Sequence, residues 1–443
     1  MTLTFREDRT TLAQAERRGA GRESRKNALG RAPVTAAVDL GASKVACFIM
    51  RPDGVRHGDR TLTAAGVGYV QSRGVKGGAV IEVDEAASAI AKAVERAETM
   101  AGVTVSSVTV TTAGGGLESR RVSSAVSLGG RPIGDADLSR AISAATSGLR
   151  LPGRRILHMR PISWSVDQAK TILDPRAMYG RQLGLQLLIV SMDEQVFQTI
   201  AHCVERAHLQ FEGVVAAPYA SALATLEEDE MELGAILIDM GGGSTSLAVY
   251  SGGSLIHIDS LAVGGGHVTQ DVARGLSTSI AGAERIKTLH GSAIASTNED
   301  REMIEAPPRG DDPGAGPVVA PRSMLKGIIA PRVEETLELL RDRVRAANVP
   351  LDPGAGVVLT GGASQLAGVR EVAVRVFDRP VRLGRPRRVP HLADAASGPA
   401  FCAAAGVLHR AAFGPGEAAP TRSRSGQPGG VMSRATAWLR DNL

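Results

Sequence analysis

The chain of 443 residues, of which 43% are hydrophobic and 3% aromatic, is long enough for roughly two to four subdomains with aliphatic, alanine-rich cores. Its three cysteines, Cys47, Cys203 and Cys402, lie far apart, which argues against a disulfide framework or zinc site and favours a reducing compartment. The net charge of +5 lies in basic clusters without interleaved aromatic residues or a known binding motif, so we expect no nucleic-acid partner.

Residues 1–33 are polar, basic and without sustained periodicity, which is typical of a disordered tail. Contact of this tail with an anionic membrane or an acidic partner is the alternative interpretation. The charged N-terminus lacks the apolar segment of a secretory signal, and no apolar run reaches the roughly 18–20 residues of a membrane-spanning helix. We therefore expect a cytoplasmic protein whose folded part begins near residue 34.

The first motif, in residues 35–50, is an apolar strand, a short turn and a second apolar strand. Asp39 stands near the end of the first strand. The predicted turn consists of Gly41, Ala42, Ser43 and Lys44. A lysine inside such a turn presents a point charge that could reach phosphate oxygens.

Residues 77–185 show a different pattern. Helical spacing predicts a helix over 85–101, strand-like alternation covers 103–112, a second helix covers 135–147, and another strand covers 156–166. This pattern predicts a compact α+β module of about 100 residues inserted after the first hairpin.

Residues 236–250 repeat the first motif in the second half of the chain, with Asp239 near the end of the first strand. The turn and the start of the second strand are Gly241, Gly242, Gly243, Ser244 and Thr245. Glycine lacks a Cβ atom, so backbone N–H groups can approach an anion closely, and an aspartate could hold a cation that bridges to phosphate. One such turn could be a hairpin without a ligand. Two predict an internally duplicated fold that clamps a phosphate group.

Later segments could complete a nucleotide site. Residues 261–269 form a glycine-rich turn, including Gly265, before a helix whose N-terminus could contact phosphate. Glu284 and Lys287 share one helix face, as a surface ion pair or as a pair that reaches a ribose. A strand–turn–helix junction follows at Gly361, Gly362 and Ala363. That junction is either a tight turn or a surface against which an adenine ring could lie.

Residues 292–321 are rich in Ala, Pro, Gly and Asp and predict a flexible loop. Residues 411–430 predict a flexible linker, and it leads to a terminal amphipathic helix over 431–443. The residues expected at a membrane are Val431, Met432, Arg434, Trp438, Leu439 and Leu443. A helix this short is marginal alone in water, and an anionic bilayer surface suits its apolar face and arginines. Docking onto the globular body is the alternative.

The motif order resembles the actin, heat-shock chaperone and sugar kinase ATPase superfamily and, within it, the FtsA family of bacterial division proteins. More specific blocks that carry the resemblance lie at 77–81, 156–158, 174–180, 217–222, 263–269 and 283–287. The resemblance implies an α/β, two-lobed actin-like ATPase fold with duplicated ribonuclease-H-like domains, an inserted α+β subdomain and a C-terminal amphipathic helix on a disordered linker.

The resemblance and the patterns together divide the chain into six parts. These are a basic tail (1–33), a first lobe (34–76 and 186–225), an inserted FtsA-type subdomain (77–185), a second lobe (226–410) with a flexible loop (292–321), a linker (411–430) and a membrane-targeting helix (431–443).

The resemblance also implies ATP and Mg²⁺ in the cleft between the lobes. Two phosphate loops would be formed by residues 41–44 and 241–245, with Gly265 nearby and with Asp39 and Asp239 near Mg²⁺ through water. Glu284 and Lys287 would face the ribose, and residues 361–363 the adenine. No residue stands out as a catalytic base, so we expect at most a slow ATPase.

In function, the resemblance implies a peripheral protein at the division site, on the cytoplasmic side of the inner membrane. It would polymerise into actin-like filaments, bind the C-terminal peptide of FtsZ and recruit later division proteins of the membrane. A type IV pilus assembly adaptor and a small-molecule kinase are the alternatives. Neither needs the terminal amphipathic helix, which therefore favours the division protein.

Overall fold

A computed structural model describes residues 34–56, 59–294, 301–309, 317–387, 392 and 394–413. The predicted tail at 1–33 and the predicted membrane helix at 431–443 lie outside the described residues, as does the linker from residue 414 onward. Within the described ranges, no helix combines the length and apolar character that crossing a membrane would require.

The described ranges contain eighteen strands and ten α-helices. The strands are β1 (Thr35–Leu40), β2 (Lys44–Arg56), β3 (Asp59–Gln71), β4 (Val75–Lys76), β5 (Ala79–Val80), β6 (Ser107–Thr112), β7 (Glu118–Ser127), β8 (Arg154–Val166), β9 (Ala169–Ile172), β10 (Gln182–Asp193), β11 (Gln210–Ala216), β12 (Ala235–Met240), β13 (Thr245–Ser251), β14 (Ser254–Leu261), β15 (Met303–Ala306), β16 (Val318–Pro321), β17 (Gly356–Thr360) and β18 (Val381–Leu383). The helices are α1 (Val83–Ala101), α2 (Asp135–Thr146), α3 (Glu194–Arg206), α4 (Ala217–Thr225), α5 (Glu228–Leu233), α6 (Gly265–Gly275), α7 (Ile280–His290), α8 (Arg322–Ala346), α9 (Val369–Phe377) and α10 (Cys402–Phe413).

Two lobes repeat one sheet topology. The first sheet has the strand order β11-β6-β1-β2-β3, and the second lobe has the matching order β18-β17-β12-β13-β14. In each lobe the first strand pairs antiparallel with the second and parallel with the strand on its other side. The hairpin registers also match, since Leu40 pairs with Val45 and Met240 pairs with Thr245, an offset of 240 − 40 = 245 − 45 = 200 residues. The fold is therefore an internal duplication.

The central strands of both lobes are continuous apolar runs because they are buried on both faces. Residues 36–38 in β1 and 236–238 in β12 are each at most 3% exposed. The two lobes meet where α4 packs against α10. This contact is close because a Cβ atom on Gly406 would lie 1.6 Å from the carbonyl oxygen of Ala220.

The inserted module has four strands in the order β7-β10-β8-β9, with α2 packed on β7 and β10. Its own apolar core includes Leu183, Leu185, Leu187 and Ile189, which alternate along the central strand β10. One backbone pair, Glu118 with Asp259, joins this sheet to the second lobe. The module is thus a compact α+β unit beside the second lobe.

The structure corrects where the inserted module begins and ends. The sequence pattern assigns 85–101 and 103–112 to that module, but the helix packs on the first sheet and β6 pairs in parallel with β1. Gly66 and Gly68 of β3 allow this close approach, since a Cβ atom on either residue would lie 2.2 Å from a carbonyl oxygen of α1. At the other end, β10 stays in the inserted sheet to residue 193, beyond the predicted boundary at 185. Strand pairing depends on contacts distant in sequence, which a local pattern does not contain.

The predicted loop at 292–321 also needs correction. Its described residues include an antiparallel hairpin of β15 and β16, in which Ile304, Ala306 and Ala320 are at most 4% exposed. Buried and exposed residues alternate along these short strands. The pattern is hard to recognise in the sequence because Pro and Gly residues surround it. The helix that follows this hairpin, α8, begins at residue 322.

Candidate functional site

The turns of the two duplicated hairpins contact each other in the cleft between the lobes. In each turn a glycine N–H donates to a carbonyl three residues on, from Gly41 to Lys44 at 3.1 Å and from Gly241 to Ser244 at 2.9 Å. A Cβ atom on Gly242 would lie 3.0 Å from that of Ser43. The turns therefore approach each other so closely that a side chain at Gly242 would press on the opposite lobe.

Two aspartates and one lysine lie at the base of these turns. Burial raises the pKa of Asp39 to about 7; the attraction of Lys44 opposes this rise, and repulsion from Asp239 adds to it. Burial also raises the pKa of Asp239, against a 2.6 Å hydrogen bond from Ser221 and the charge of Lys44. For Lys44, burial lowers the pKa, and both carboxylates oppose that change. One cation is thus shared by two buried carboxylates.

Lys44 connects the two lobes. Its ammonium group donates to the carbonyl oxygen of Ala400, and it lies 3.3 Å from the centroid of the Phe401 ring. A cation at this distance over an aromatic face is attracted by the ring quadrupole. Both partners immediately precede α10, which packs on the first sheet, so Lys44 is held by the chain segment that returns from the second lobe to the first.

The N-terminus of α6 supports the second turn. Gly265 N–H donates to the carbonyl oxygen of Gly241 at 2.9 Å, and Gly266 N–H donates to that of Gly242 at 2.7 Å. The Thr245 hydroxyl donates to the carbonyl oxygen of Val263 at 2.7 Å. The sequence predicts Gly265 and Thr245 as ligand contacts. In the structure, the Gly265 N–H and the Thr245 hydroxyl donate to backbone carbonyl oxygens of the protein.

Glu284 and Lys287 lie together on α7. The ammonium group of Lys287 is 2.7 Å from a Glu284 carboxylate oxygen, and it donates to the Thr269 hydroxyl at 2.8 Å and the Gly265 carbonyl at 3.2 Å. The Lys287 side chain is 13% exposed, against 54% for Glu284. The pair therefore connects α7 to α6 and is more than a solvated surface ion pair.

The predicted adenine turn lies beside the second aspartate. Gly361 has φ = +83°, and a Cβ atom there would lie 2.4 Å from a carboxylate oxygen of Asp239. Only glycine satisfies both the left-handed backbone and the close contact. Gly362 and Ala363 follow in a short 3-10 helix over Gly362–Gln365.

Two adjoining cavities bring the predicted residues together. A small cavity of about 110 Å³ is lined by the hairpin turns, by Asp39 and Asp239, and by Gly361. A larger cavity of about 740 Å³ is lined by Glu284, Lys287 and Ala363, among others. Both are lined by residues Ala42, Ser43, Gly242, Gly243 and Gly362. The larger volume lies within the roughly 300–1,000 Å³ range of small-molecule sites.

The structure also places in the site residues that the sequence motifs do not indicate. Lys76 and Gly77 line the larger cavity, and Gly78 and Gly114 line the smaller one. The sequence feature that could have indicated these residues is the Gly-Gly dipeptide at 77–78, which is common in hairpin turns. That signal carries no information about the ligand site, because the hairpin's position depends on contacts with distant glycines.

Comparison with protein families gives two matches. Residues 236–406 match the model of the cell division protein FtsA, and residues 114–191 match that of the SHS2 domain inserted in FtsA. The second match agrees with the observed limits of the inserted module.

Comparison with curated proteins gives long alignments. The chain is 42% identical over 387 residues to the cell division protein FtsA of Rhizobium meliloti, covering 85% of this chain and 87% of the relative. It is 40% identical over 429 residues to that of Agrobacterium fabrum, covering 93% and 96%. It is 31% identical over 414 residues to that of Escherichia coli K12, covering 91% and 96%.

Solved structures show the same fold. The PilM–PilN type IV pilus biogenesis complex has a TM-score of 0.60 at 16% identity, covering 85% of this chain and 98% of that chain. MreB 5 of Spiroplasma citri bound to AMPPNP has a TM-score of 0.51 at 14% identity, covering 86% and 96%. The predicted actin-like, two-lobed α/β fold is confirmed.

Proposed function

The chain belongs to the FtsA family of cell division proteins, and from this premise we propose that it binds ATP with Mg²⁺ between its lobes. The bound nucleotide would control the assembly of a scaffold held at the membrane. The observation that carries this proposal is the pair of matching hairpin turns that meet over two buried aspartates.

The chemistry of the cleft fits a magnesium–nucleotide complex. Burial disfavours the ionised forms of Asp39 and Asp239, and Lys44 offsets this penalty only in part. A divalent cation near these carboxylates would favour their ionised forms, and hard cations such as Mg²⁺ prefer oxygen ligands. Bound Mg²⁺ would neutralise phosphate charge and help to position the phosphate groups.

The remaining predicted residues then take consistent roles. The turns at 41–44 and 241–244 would hold the phosphates, because they surround the smaller cavity. Glu284 and Lys287 would face the ribose at the larger cavity. Residues 361–363 would face the adenine, with Gly362 and Ala363 at the larger cavity and Gly361 at the smaller one. In the smaller cavity, the ionisable side chains among the described residues are Asp39, Lys44 and Asp239. Since none stands out as a dedicated catalytic base, we propose that binding is the main role and that turnover is slow.

Calorimetric titration of the full chain with Mg²⁺ and ATP tests this proposal. We expect the wild type to bind, and Asp239→Ala or Gly242→Val to weaken binding at least about tenfold, which corresponds to about 1.4 kcal/mol. The valine would enter the opposite turn, whose Ser43 hydroxyl oxygen is 3.1 Å from a Cβ atom at position 242.

Two surface variants control for general damage. Asp229→Ala changes an exposed residue of α5, and Gly129→Val fills open space, so both should bind ATP as the wild type does. Absence of ATP binding by the wild type, or wild-type affinity in both cleft variants, would refute the assignment.

The scaffold part of the proposal concerns partners and location. The protein would form actin-like filaments on the cytoplasmic side of the inner membrane at the division site. It would bind the C-terminal peptide of FtsZ and recruit later division proteins of the membrane. Residues 431–443 would attach it to anionic lipid. The names of its relatives and the amphipathic pattern of this terminal segment support the proposal.

A type IV pilus assembly adaptor is the second candidate, because the PilM–PilN complex shares the fold. Its identity of 16% supports the fold alone, whereas the division proteins reach 42%. A pilus adaptor would not need a terminal membrane helix. The division function is therefore better supported.

A further inference from the structure

A short hairpin over residues 74–82, here called the strap, reaches into the nucleotide cleft from the first lobe. Its strands are β4 and β5, joined by Gly77 and Gly78 with φ = +58° and +81°. Two consecutive residues with positive φ form a tight hairpin turn that favours glycine. At the base, the Gly74 carbonyl oxygen accepts a 2.8 Å hydrogen bond from Ile81 N–H. The strap is thus a closed, defined element.

The tip of the strap contacts both lobes. A Cβ atom on Gly114, just after β6, would lie 1.6 Å from the Gly78 carbonyl oxygen. A Cβ atom on Gly243, in the second phosphate turn, would lie 3.2 Å from the backbone nitrogens of both Gly77 and Gly78. The strap tip can therefore contact the first lobe only because residue 114 is a glycine, and it also lies close to Gly243 of the second lobe. The strap tip therefore forms part of the wall between the two cavities.

Lys76 differs from the other lysines of the cleft. Lys44 is engaged by Ala400 and Phe401, and Lys287 by Glu284 and its neighbours. Lys76 is exposed, it lines the larger cavity, and no described residue forms a hydrogen bond or ion pair with its ammonium group. An ammonium group without a partner beside glycine turns is a suitable contact for an anionic ligand.

The two cavities distinguish which phosphate groups Lys76 can reach. Lys76 lines the larger cavity together with Glu284 and Lys287, which are proposed to face the ribose. The two aspartates line the smaller cavity. The position of Lys76 therefore favours the phosphates nearer the nucleoside, which ADP and ATP have in common. The adjoining Val75 is 9% exposed and packs in the first core, which anchors the lysine's backbone.

We propose that the strap is a third phosphate-binding element of the cleft. Lys76 binds the phosphates shared by nucleoside diphosphates and triphosphates, and the Gly77–Gly78 tip closes the wall beside the second phosphate turn. This proposal rests on the proposed nucleotide-binding function and adds to it a residue and an element that the two phosphate turns do not include.

Calorimetric titration of the full chain with ATP, ADP and adenosine, each with Mg²⁺, tests the proposal. Lys76→Ala should weaken ATP and ADP binding about tenfold, as expected for loss of a charge-assisted hydrogen bond, and leave adenosine binding unchanged. Lys76→Arg should retain most of the affinity, because it keeps the charge. Lys92→Ala, at an exposed lysine of α1, is the matched control and should bind all three ligands as the wild type does.

The outcomes separate the strap from the site as a whole. Wild-type affinity for ATP and ADP in Lys76→Ala would overturn the strap proposal while the proposed function stands. Equal weakening of adenosine binding would also overturn it, because that result indicates a structural effect without a phosphate contact. A wild type that binds none of the three ligands would overturn the proposed function and the strap proposal together.

Discussion

Several ionisable side chains of this protein lie where burial disfavours their charged forms. Asp39 and Asp239 share the charge of one lysine, and Ser221 supplies a further hydrogen bond. Asp137 in the inserted module is a contrasting case. Its buried carboxylate accepts hydrogen bonds from Arg131, Arg140 and the Gly134 N–H. The cleft carboxylates are only partly compensated, as a ligand site requires, whereas Asp137 is fully partnered.

The motif residues of the cleft could be predicted from sequence because each turn is local. The Asp, Gly and hydroxyl residues follow one another, so their mutual placement needs only the hairpin. The partners of Gly265 and Thr245 could not be predicted in this way. Both donate to backbone carbonyls whose positions depend on how α6 packs on the second turn. Lys76 was missed for the same reason.

The partners of Asp137 predict a pH-dependent stability. Burial raises its pKa, but the hydrogen bonds from Gly134, Arg140 and Arg131 outweigh burial, so the net pKa is lowered. A carboxylate with a lowered folded-state pKa stabilises the fold above its unfolded-state pKa, and this contribution is lost as the pH falls through the folded-state value. Asp137→Asn should therefore lower the melting temperature by several degrees at pH 7, and by progressively less as the pH falls below the ordinary aspartate range.

Thermal unfolding followed by circular dichroism across this pH range measures the effect. Asp229→Asn, at an exposed residue of α5, serves as the control and should match the wild type throughout. A melting-temperature difference for Asp137→Asn that stays constant down to about pH 3, well into aspartate titration, would contradict the argument.

Among elements, the helix pair α4 and α10 joins the two lobes. These helices follow equivalent last strands of the two sheets, β11 and β18, and they pack against each other behind the cleft. Ala217, at the start of α4, and Ala403, in α10, both line the smaller cavity. Packing of the two lobes is thus connected directly to the shape of the site.

Two glycine-to-alanine changes in helices test this packing with opposite expected signs. Gly406→Ala places a methyl group 1.6 Å from the Ala220 carbonyl oxygen, so it should destabilise the protein by about 1–3 kcal/mol. Gly327→Ala, in α8, meets open space and should stabilise it by roughly 0.5–1 kcal/mol, because alanine loses less backbone entropy. Urea unfolding measures both. A stabilising Gly406→Ala would show that the helices are not in the close contact described.

The sequence predicts where helices and strands occur better than it predicts which strands pair in a sheet. The two hairpins and the helices near 85–101 and 135–147 follow from local periodicity. The assignment of 103–112 to the inserted module was wrong because β6 joins the first sheet through parallel pairing with β1. Parallel pairs connect segments far apart in the chain, so their location is a tertiary property.

At the scale of the whole molecule, the duplicated lobes place one ligand site at their junction. The described residues that line this site come from both lobes and from separate parts of the chain. They belong to the two hairpin turns, the strap, α7 and the Gly361 turn. A ligand that contacts all of them would fix the relative position of the lobes. In the proposed function, nucleotide binding would therefore control the surfaces through which the protein assembles.

In the proposed function, the terminal segment would give this scaffold its location. Residues 431–443 lie outside the described part of the chain, so their membrane role remains a prediction from the pattern around Trp438 and Leu439. In an interfacial helix the apolar face enters the boundary of the acyl chains, and arginines lie near anionic head groups.

We propose that residues 431–443 hold this nucleotide-binding division scaffold at the membrane. Co-sedimentation of the full chain with anionic liposomes, in the presence of Mg²⁺ and ATP, tests this attachment. A chain lacking residues 431–443 and the variant Trp438→Glu are the controls. We predict that the full chain pellets with the liposomes and that both controls stay in the supernatant. A full chain that stays in the supernatant with ATP, with ADP and without nucleotide would contradict the claim.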